Sequence, residues 1–227
     1  MQTNYETRQT AQGWWIINGD SHIGAWIEQA KRLDHDQSSL PIILRHIVEG
    51  GIVVDAGSFI GTHCWAYLQK VGPTGQVICY EPFPEAFQCL RKNCPDALCF
   101  MAALWNRNTI GRLVPPGNTN WGTMRVEEDP QGDVALLTLD SQNWDKVNLV
   151  KIDCEGTELR VLKGAQETIK RTRPVLVVEV HEGLLRSNGA SPSELIEFIK
   201  SMNYKVENIF PRNDMDGPQW DALCTPI

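Results

Sequence analysis

Two acids and two glycines between residues 51 and 84 set the chemistry that the rest of the chain has to serve. The stretch reads GIVVDAGSFIGTHCWAYLQKVGPTGQVICYEPFP. Ile52, Val53 and Val54 run into Asp55, Gly57 and Gly61 punctuate the turn that follows, and a helical pattern carries Cys64, Ala66, Tyr67 and Leu68. A second apolar run, residues 77–80, stops at Glu81. Glycine lets a backbone approach a ligand closely, because a Cβ there would collide with it. The N–H groups opening the next helix face the same spot and suit an anionic or carboxylate-bearing group. An acid at the end of the second strand can accept both hydroxyls of a ribose. Strand, tight turn, helix, strand, acid is the first half of a nucleotide-binding α/β unit.

Spacing narrows the nucleotide. Asp55-x-Gly57-x-x-x-Gly61 is neither the G-x-G-x-x-G of a dinucleotide site nor the G-x-x-x-x-G-K-[ST] of a phosphate-binding loop. Asp55 would repel a pyrophosphate, yet it can reach the ammonium of an amino-acid moiety directly or through water. A nucleoside carrying an amino acid is S-adenosylmethionine.

The elements that must position these residues follow from periodicity. Strands are predicted at 52–56, 77–80, 97–104, 149–152 and 175–180, with shorter pieces near 111–114, 122–126 and 134–139 and a closing hairpin from 204–209 and 220–224. Helices are predicted over 61–70, from Pro84 onward and from Leu159 to Ile169. Ser191-Pro192-Ser193-Glu194 begins another, with Ser191 as cap and Glu194 closing a capping box. Ahead of the main sheet, residues 14–17 read as a short strand. Trp26, Ile27, Ala30 and Leu33, then Leu40, Ile43, Leu44 and Ile47, recur at helical spacing. Residues 1–12 read as loosely attached. The expected organisation is a helical cap or lid over 1–49 and a catalytic domain over 50–227. Ligands in such sheets gather at the carboxyl ends of the strands, where Asp55, Glu81, Asp153 and Glu179 recur. The polar loop 115–121 is long enough to border a site.

Composition excludes several classes. The chain has 227 residues, 42% hydrophobic and 22% charged, with a net charge of −7. That balance argues against wrapping nucleic acid, and the one basic run, Lys170-Arg171-Thr172-Arg173, reads as the end of a helix. Seven cysteines without a C-x-x-C pair imply reduced thiols, no structural zinc and a cytoplasmic protein. No apolar run is long enough to cross a membrane, and the N-terminus lacks a signal-peptide pattern. A homodimer is the base-rate assembly.

A resemblance joins these pieces. Lys151-Ile-Asp153-Cys-Glu155-Gly156-Thr-Glu158-Leu159 and Val161-Leu-Lys-Gly-Ala165 closely resemble the K-I-D-x-E-G-x-E-x-x-V-L-x-G-A signature of the FkbM family of S-adenosylmethionine-dependent methyltransferases. VVDAGSFIGT and YEPFPEAF are similar to that family's V-D-x-G-x-x-x-G turn and E-P-x-P segment. The likeness covers about residues 40–225, with Ser58 where Ala is common and Cys154 where Val is common. It implies the class I methyltransferase fold, a Rossmann-like α/β arrangement with a seven-stranded, mostly parallel sheet whose final strand is antiparallel. It also implies S-adenosylmethionine as cofactor and a hydroxyl of a sugar or other small metabolite as methyl acceptor. Carried over by position, Gly57, Ser58 and Gly61 lie beneath the cofactor and Asp55 near its methionine part. Glu81 holds the ribose, Phe83 leans on the nucleoside, Ala103 flanks adenine, and Asp153 lies at the mouth.

A sugar hydroxyl is a weak nucleophile, so a base within reach is expected. By position the candidates are His181, Asp153 and Glu155, with Glu182 behind them. Glu155 and Glu158 have a purely electrostatic reading as acids in a helix's first turn. Asp140, Asp153 and Glu179 are hard oxygen donors that could hold Mg²⁺, a minority reading that assigns no metal ligand. His22 and Trp14, Trp15, Trp26 and Trp121 are candidates for an acceptor pocket, against ordinary packing. Transfer to a nitrogen, or a scaffold that retains the fold without turnover, are the alternative functions.

Overall fold

A computed structural model describes residues 6–34, 38–214 and 217–227. β1 (Thr7–Gln9) and β2 (Trp15–Ile17) pair antiparallel ahead of α1 (Ile23–Ala30) and α2 (Leu40–Ile43), which tightens into a 3-10 turn over Leu44–His46. There follow β3 (Ile52–Ala56), α3 (Thr62–Val71), β4 (Gln76–Tyr80), α4 (Pro84–Asn93) and β5 (Leu98–Phe100). Four short strands come next: β6 (Ala103–Leu104), β7 (Thr109–Val114), β8 (Arg125–Glu128) and β9 (Val134–Leu137). The second half is β10 (Leu149–Ile152), α5 (Glu158–Lys163), α6 (Gln166–Thr172), β11 (Val175–His181), α7 (Glu182–Ser187), α8 (Pro192–Ser201), β12 (Tyr204–Asp214) and β13 (Gly217–Pro226).

The main sheet has seven strands in the order β12-β13-β11-β10-β3-β4-β5. β5, β4, β3, β10 and β11 run parallel, and β13 is antiparallel to both of its neighbours. The expected fold class holds. Chain order breaks between β3 and β10, which are adjacent although 92 residues lie between the end of β3 and the start of β10. That break is the topological switch point, where a crevice opens in sheets of this kind.

Helices cover both faces, so side chains on both faces of the strands are buried. Val54, Ile78, Val150 and Val178 point into a core shared with Val161, Ile169, Leu195 and Ile199 of the later helices. Their neighbours Val53, Val77, Leu149 and Val177 point the other way, against Leu40, Ile43, Cys64, Tyr67 and Leu90. The alternation is the period-two geometry of a strand. Ser191 caps α8 as expected: Glu194 N–H donates to Ser191 Oγ at 3.3 Å, while the Glu194 carboxylate accepts from the Ser191 hydroxyl, at 2.8 Å, in place of the backbone N–H of a full capping box.

Four expectations change. Residues 97–104 are not one strand: Leu98–Phe100 joins the main sheet, while Ala103–Leu104 joins a second sheet ordered β6-β9-β7-β8. Residues 7–9 are not loose but pair with β2. The helix expected across 159–169 breaks at Gly164, whose carbonyl accepts the Asp140 N–H at 3.0 Å, and restarts as α6. The stripe through Ile47 is buried as expected, but its backbone leaves the helix after His46.

Candidate active site

The site arises where one face of the main sheet changes character. On the side that packs α3 and α4, the strands begin with core residues Val53, Leu149 and Val177. Two residues further along the same face stand Asp55, Lys151 and Glu179. β13 runs the opposite way and brings Asp221 opposite Glu179 and Gln219 opposite His181. The face is thus apolar at one end of the strands and ionisable at the carboxyl end, over which a cavity of about 1000 Å³ opens.

The turn after β3 forms its floor. Gly57 has φ +83°, and a Cβ there would sit 1.8 Å from the carbonyl oxygen of Asp153, so this turn closes onto β10 only with glycine. Phe59 also has positive φ, and it is held there by its N–H, which donates to Glu81 Oε2 at 2.8 Å. Phe83 N–H donates to Glu81 Oε1, also at 2.8 Å. Two backbone donors therefore fix the Glu81 carboxylate at the cavity wall, with one lone pair left on each oxygen. Burial pushes Glu81 up to about 7, against the pull of those two N–H groups. Asp55 is 1% exposed, and among the described residues its Oδ2 has no hydrogen-bond partner. Burial raises it to about 6, more than nearby Lys151 and His63 lower it.

Beyond the turn, charge is concentrated at β10, β11 and β13. Lys151 Nζ donates to Asp153 Oδ2 at 2.7 Å. Burial alone would lower Lys151, but Asp153, Asp221 and Asp55 carry it above the ordinary lysine range. Burial likewise pushes Asp153 up, and Lys151 more than offsets it, so Asp153 stands below the usual carboxylate range. Glu179 is 7% exposed; Gln219 Nε2 donates to its Oε1 at 2.6 Å, and no donor among the described residues reaches its Oε2. Burial first, then the neighbouring Asp153 and Glu155, pushes Glu179 well above its ordinary value. Glu155, in a left-handed backbone conformation, is raised in the same way by burial and by Asp153.

Several expected residues meet here. Asp55, Gly57, Ser58, Glu81, Ala103, Asp153, Glu155 and His181 all line the cavity, and so do His22, Trp121 and much of loop 115–121. Ser58 is fixed by its hydroxyl, which donates to the Asp55 carbonyl at 2.8 Å. Ser21 N–H donates to the Thr119 carbonyl at 3.0 Å, which ties the N-terminal segment to the loop across the opening.

Others are placed elsewhere. Phe83 does not line the cavity: its ring is 2% exposed in a core with Ile16, Ile17, Ile27 and Ile60, and it serves the site through its backbone N–H. Gly61 faces away, since a Cβ there would meet Cys94 Sγ at 2.8 Å and Leu90 Cδ1 at 3.0 Å; it lets α3 lie close to α4. Trp14 packs edge-on to Trp65, Lys92 lies over Trp15, and Trp26 joins the same cluster. Asp140 is committed to α6, accepting the N–H groups of Glu167 and Thr168 at 3.1 and 2.7 Å, so it does not join Asp153 and Glu179. Glu158 Oε1 accepts the N–H groups of Cys154 and Gly156, both at 3.0 Å, and holds the turn that carries Glu155. His181 caps α7: its Nδ1 accepts the Leu184 N–H at 3.3 Å, which leaves the ring proton on Nε2 when the imidazole is neutral.

Sequence reading missed Lys151, Arg125 and the donor-free oxygen of Glu179 as parts of one site. Lys151 carried a signal, a lysine in a strand otherwise buried on both faces. Nothing local marked the other two.

Residues 55–206 match the family model of the methyltransferase FkbM domain. The chain belongs to the FkbM methyltransferase family. It is similar to the hexuronic acid methyltransferase AglP of Haloferax volcanii, with 28% identity over 168 residues, 70% of this chain and 67% of AglP. A crystal structure of a methyltransferase FkbM from Methylobacillus flagellatus superposes with a TM-score of 0.52 at 19% identity, covering 77% of this chain and 44% of that one. The chain therefore spans less than half the length of that protein. Fibrillarin from Aeropyrum pernix, with natively bound S-adenosyl-L-methionine, superposes at a TM-score of 0.51 and 9% identity, covering 98% of this chain and 83% of that one. At such identities the structures share the fold, which is the S-adenosylmethionine-dependent methyltransferase fold.

The FkbM chain's own residues fit that cofactor. A buried aspartate oxygen without a donor suits an ammonium, and a carboxylate fixed by two N–H groups suits a ribose diol. Six carboxyls line the cavity, Asp55, Glu81, Asp153, Glu155, Glu179 and Asp221, a setting that favours a sulfonium cation. Among the described residues no helix is long and apolar enough to cross a membrane, and all seven cysteines are free thiols.

Proposed function

We propose that this protein transfers a methyl group from S-adenosylmethionine to an oxygen of a sugar-like small molecule. The observation that carries the reading is a pair of buried carboxylate oxygens without donors, Asp55 Oδ2 and Glu179 Oε2, on residues that line one cavity. Similarity to a hexuronic acid methyltransferase supports a sugar-like acceptor.

S-adenosylmethionine supplies a methyl group activated by the positive sulfur. Asp55 would hold its ammonium and Glu81 its ribose hydroxyls, with Ala103 beside the adenine. The first N–H groups of α3, at Thr62 and His63, would face its carboxylate. Asp153, held ionised by Lys151, would stand at the mouth where the acceptor enters. Binding that fixes both reactants in line lowers the barrier by several kcal/mol through orientation alone.

Glu179 is the group in this reading that takes the proton of the acceptor hydroxyl. His181 Nδ1 already accepts a backbone N–H, and Asp153 is paired with Lys151. Glu179 has an open oxygen, is oriented by Gln219, and is a stronger base than a free glutamate because burial raises it. Its carboxylate form grows as pH rises, so kcat should rise with pH.

The test is transfer of labelled methyl to a panel of hexoses and hexuronic acids, with the product bond assigned by NMR. Glu179→Gln should lower kcat by about 10² to 10⁴ and flatten its pH profile while leaving S-adenosylhomocysteine affinity unchanged. No label on any oxygen of the panel, or full activity in the variant, refutes the corresponding part.

A further inference from the structure

Among the described residues, one arginine that lines the cavity has no hydrogen bond or ion pair. Arg125 opens β8 directly after the loop that borders the cavity, is half-buried, and lines the opening. Nearby, Arg107, in the turn before β7, pairs with Glu128, and Arg112 of β7 pairs with Glu127. Among the described residues Arg125 makes no hydrogen bond or ion pair. Glu155 feels its charge but does not close a salt bridge with it.

A half-desolvated guanidinium without an acceptor is costly to keep. Its planar fork of donors matches a carboxylate or phosphate bidentately. The cofactor does not need it by the assignment above, since the ammonium, sulfonium and ribose are met by acids and the carboxylate by the start of α3. Of the acids that line the cavity, Asp153 is paired with Lys151, Glu81 with the N–H groups of Phe59 and Phe83, and Glu179 with Gln219, and none of the described acids closes a salt bridge with Arg125. Arg125 is also accompanied by polar groups suited to a sugar: Asn120, on the same loop, lines the cavity with a buried Oδ1 that has no partner.

We propose that Arg125 binds an anionic group on the methyl acceptor, a carboxylate or a phosphate, so that acidic sugars are preferred to neutral ones. This rests on the reading of the protein as a sugar O-methyltransferase and specifies its substrate class.

The experiment is calorimetric titration of the protein loaded with S-adenosylhomocysteine, using D-glucuronate, D-glucose 1-phosphate and D-glucose as probes. It is run on the wild type, Arg125→Gln and Arg125→Lys. At least one anionic probe should bind tenfold or more tightly than glucose, and which one does so distinguishes carboxylate from phosphate. The advantage should vanish in Arg125→Gln and persist in part in Arg125→Lys, with S-adenosylhomocysteine affinity within twofold of wild type in both. No advantage of the anions over glucose overturns the proposal, as does an advantage that survives Arg125→Gln. A loss of S-adenosylhomocysteine affinity in that variant also overturns it, because the guanidinium would then serve the cofactor. Failure of the underlying reading is distinct: the anion binds through Arg125, yet labelled methyl never reaches a sugar oxygen.

Discussion

Replacing Asp55 by Asn should make the ligand-free protein more stable and its cofactor site worse. The carboxyl stands at about 6 against 3.8 for a free aspartate, chiefly because it is buried. At 1.36 kcal/mol per pH unit, that gap corresponds to about 3 kcal/mol. The sign follows from linkage. As pH rises through about 4 the unfolded chain loses its proton first, so the folded state loses stability from there to about pH 6 and carries the full cost above it. Asparagine has no charge to bury, so at pH 7 Asp55→Asn should gain about 3 kcal/mol, or about 6 to 12 °C in Tm for a chain of this size. Below about pH 4 the two proteins should melt together. The same change removes the charge that meets the cofactor's ammonium, which should weaken S-adenosylhomocysteine by about 10- to 100-fold, the worth of a charge-assisted hydrogen bond. Thermal melts of the ligand-free pair across pH 4 to 8, with calorimetric titration at pH 7, measure both effects. A variant that melts lower at pH 7, or that keeps wild-type affinity, would refute the assignment of Asp55 as an unpaired buried acid kept for the ligand.

Two further outcomes test the local geometry. Gly57→Ala places a Cβ 1.8 Å from the Asp153 carbonyl oxygen at a φ of +83°, so it should cost several kcal/mol, at the severe end for a single substitution, and abolish cofactor binding. A folded Gly57→Ala protein with unchanged denaturant midpoint would show that the turn does not close on β10 as described. His181→Ala removes the cap of α7 and should cost about 1 kcal/mol with less than a tenfold fall in kcat. A fall of a hundredfold or more at unchanged pH-independent cofactor affinity would restore His181 as the base.

Local chemistry made much of the scaffold legible. Strands at 52–56, 149–152 and 175–180 could be read because residues buried on both faces form short unbroken apolar runs. The Ser191 cap of α8 could be read because its bonds span only three residues. Where the reading failed, distant partners decided. The run 97–104 looks continuous, but its second half pairs with Leu136 and Leu137 in another sheet. Phe83 looks like a residue beside a nucleoside, but the N-terminal pair β1–β2 and α1 bring Ile16, Ile17 and Ile27 over the place where its ring is buried.

The same division holds for the site. The sequence by itself determined the turn Asp55-x-Gly57, the acid at Glu81 and the strand ends that carry them, because each depends on neighbours within a few residues. Tertiary structure decided which of the acids act together. Register places Glu179 opposite Asp221 from a strand of opposite direction. Asp140 goes instead to the start of α6. A loop from the second sheet brings Arg125 to the cavity. Whether a buried acid is neutralised, fixed or left open depends on which groups stand within a few ångströms of it in space, since electrostatic and hydrogen-bond energies fall with distance and not with separation along the chain.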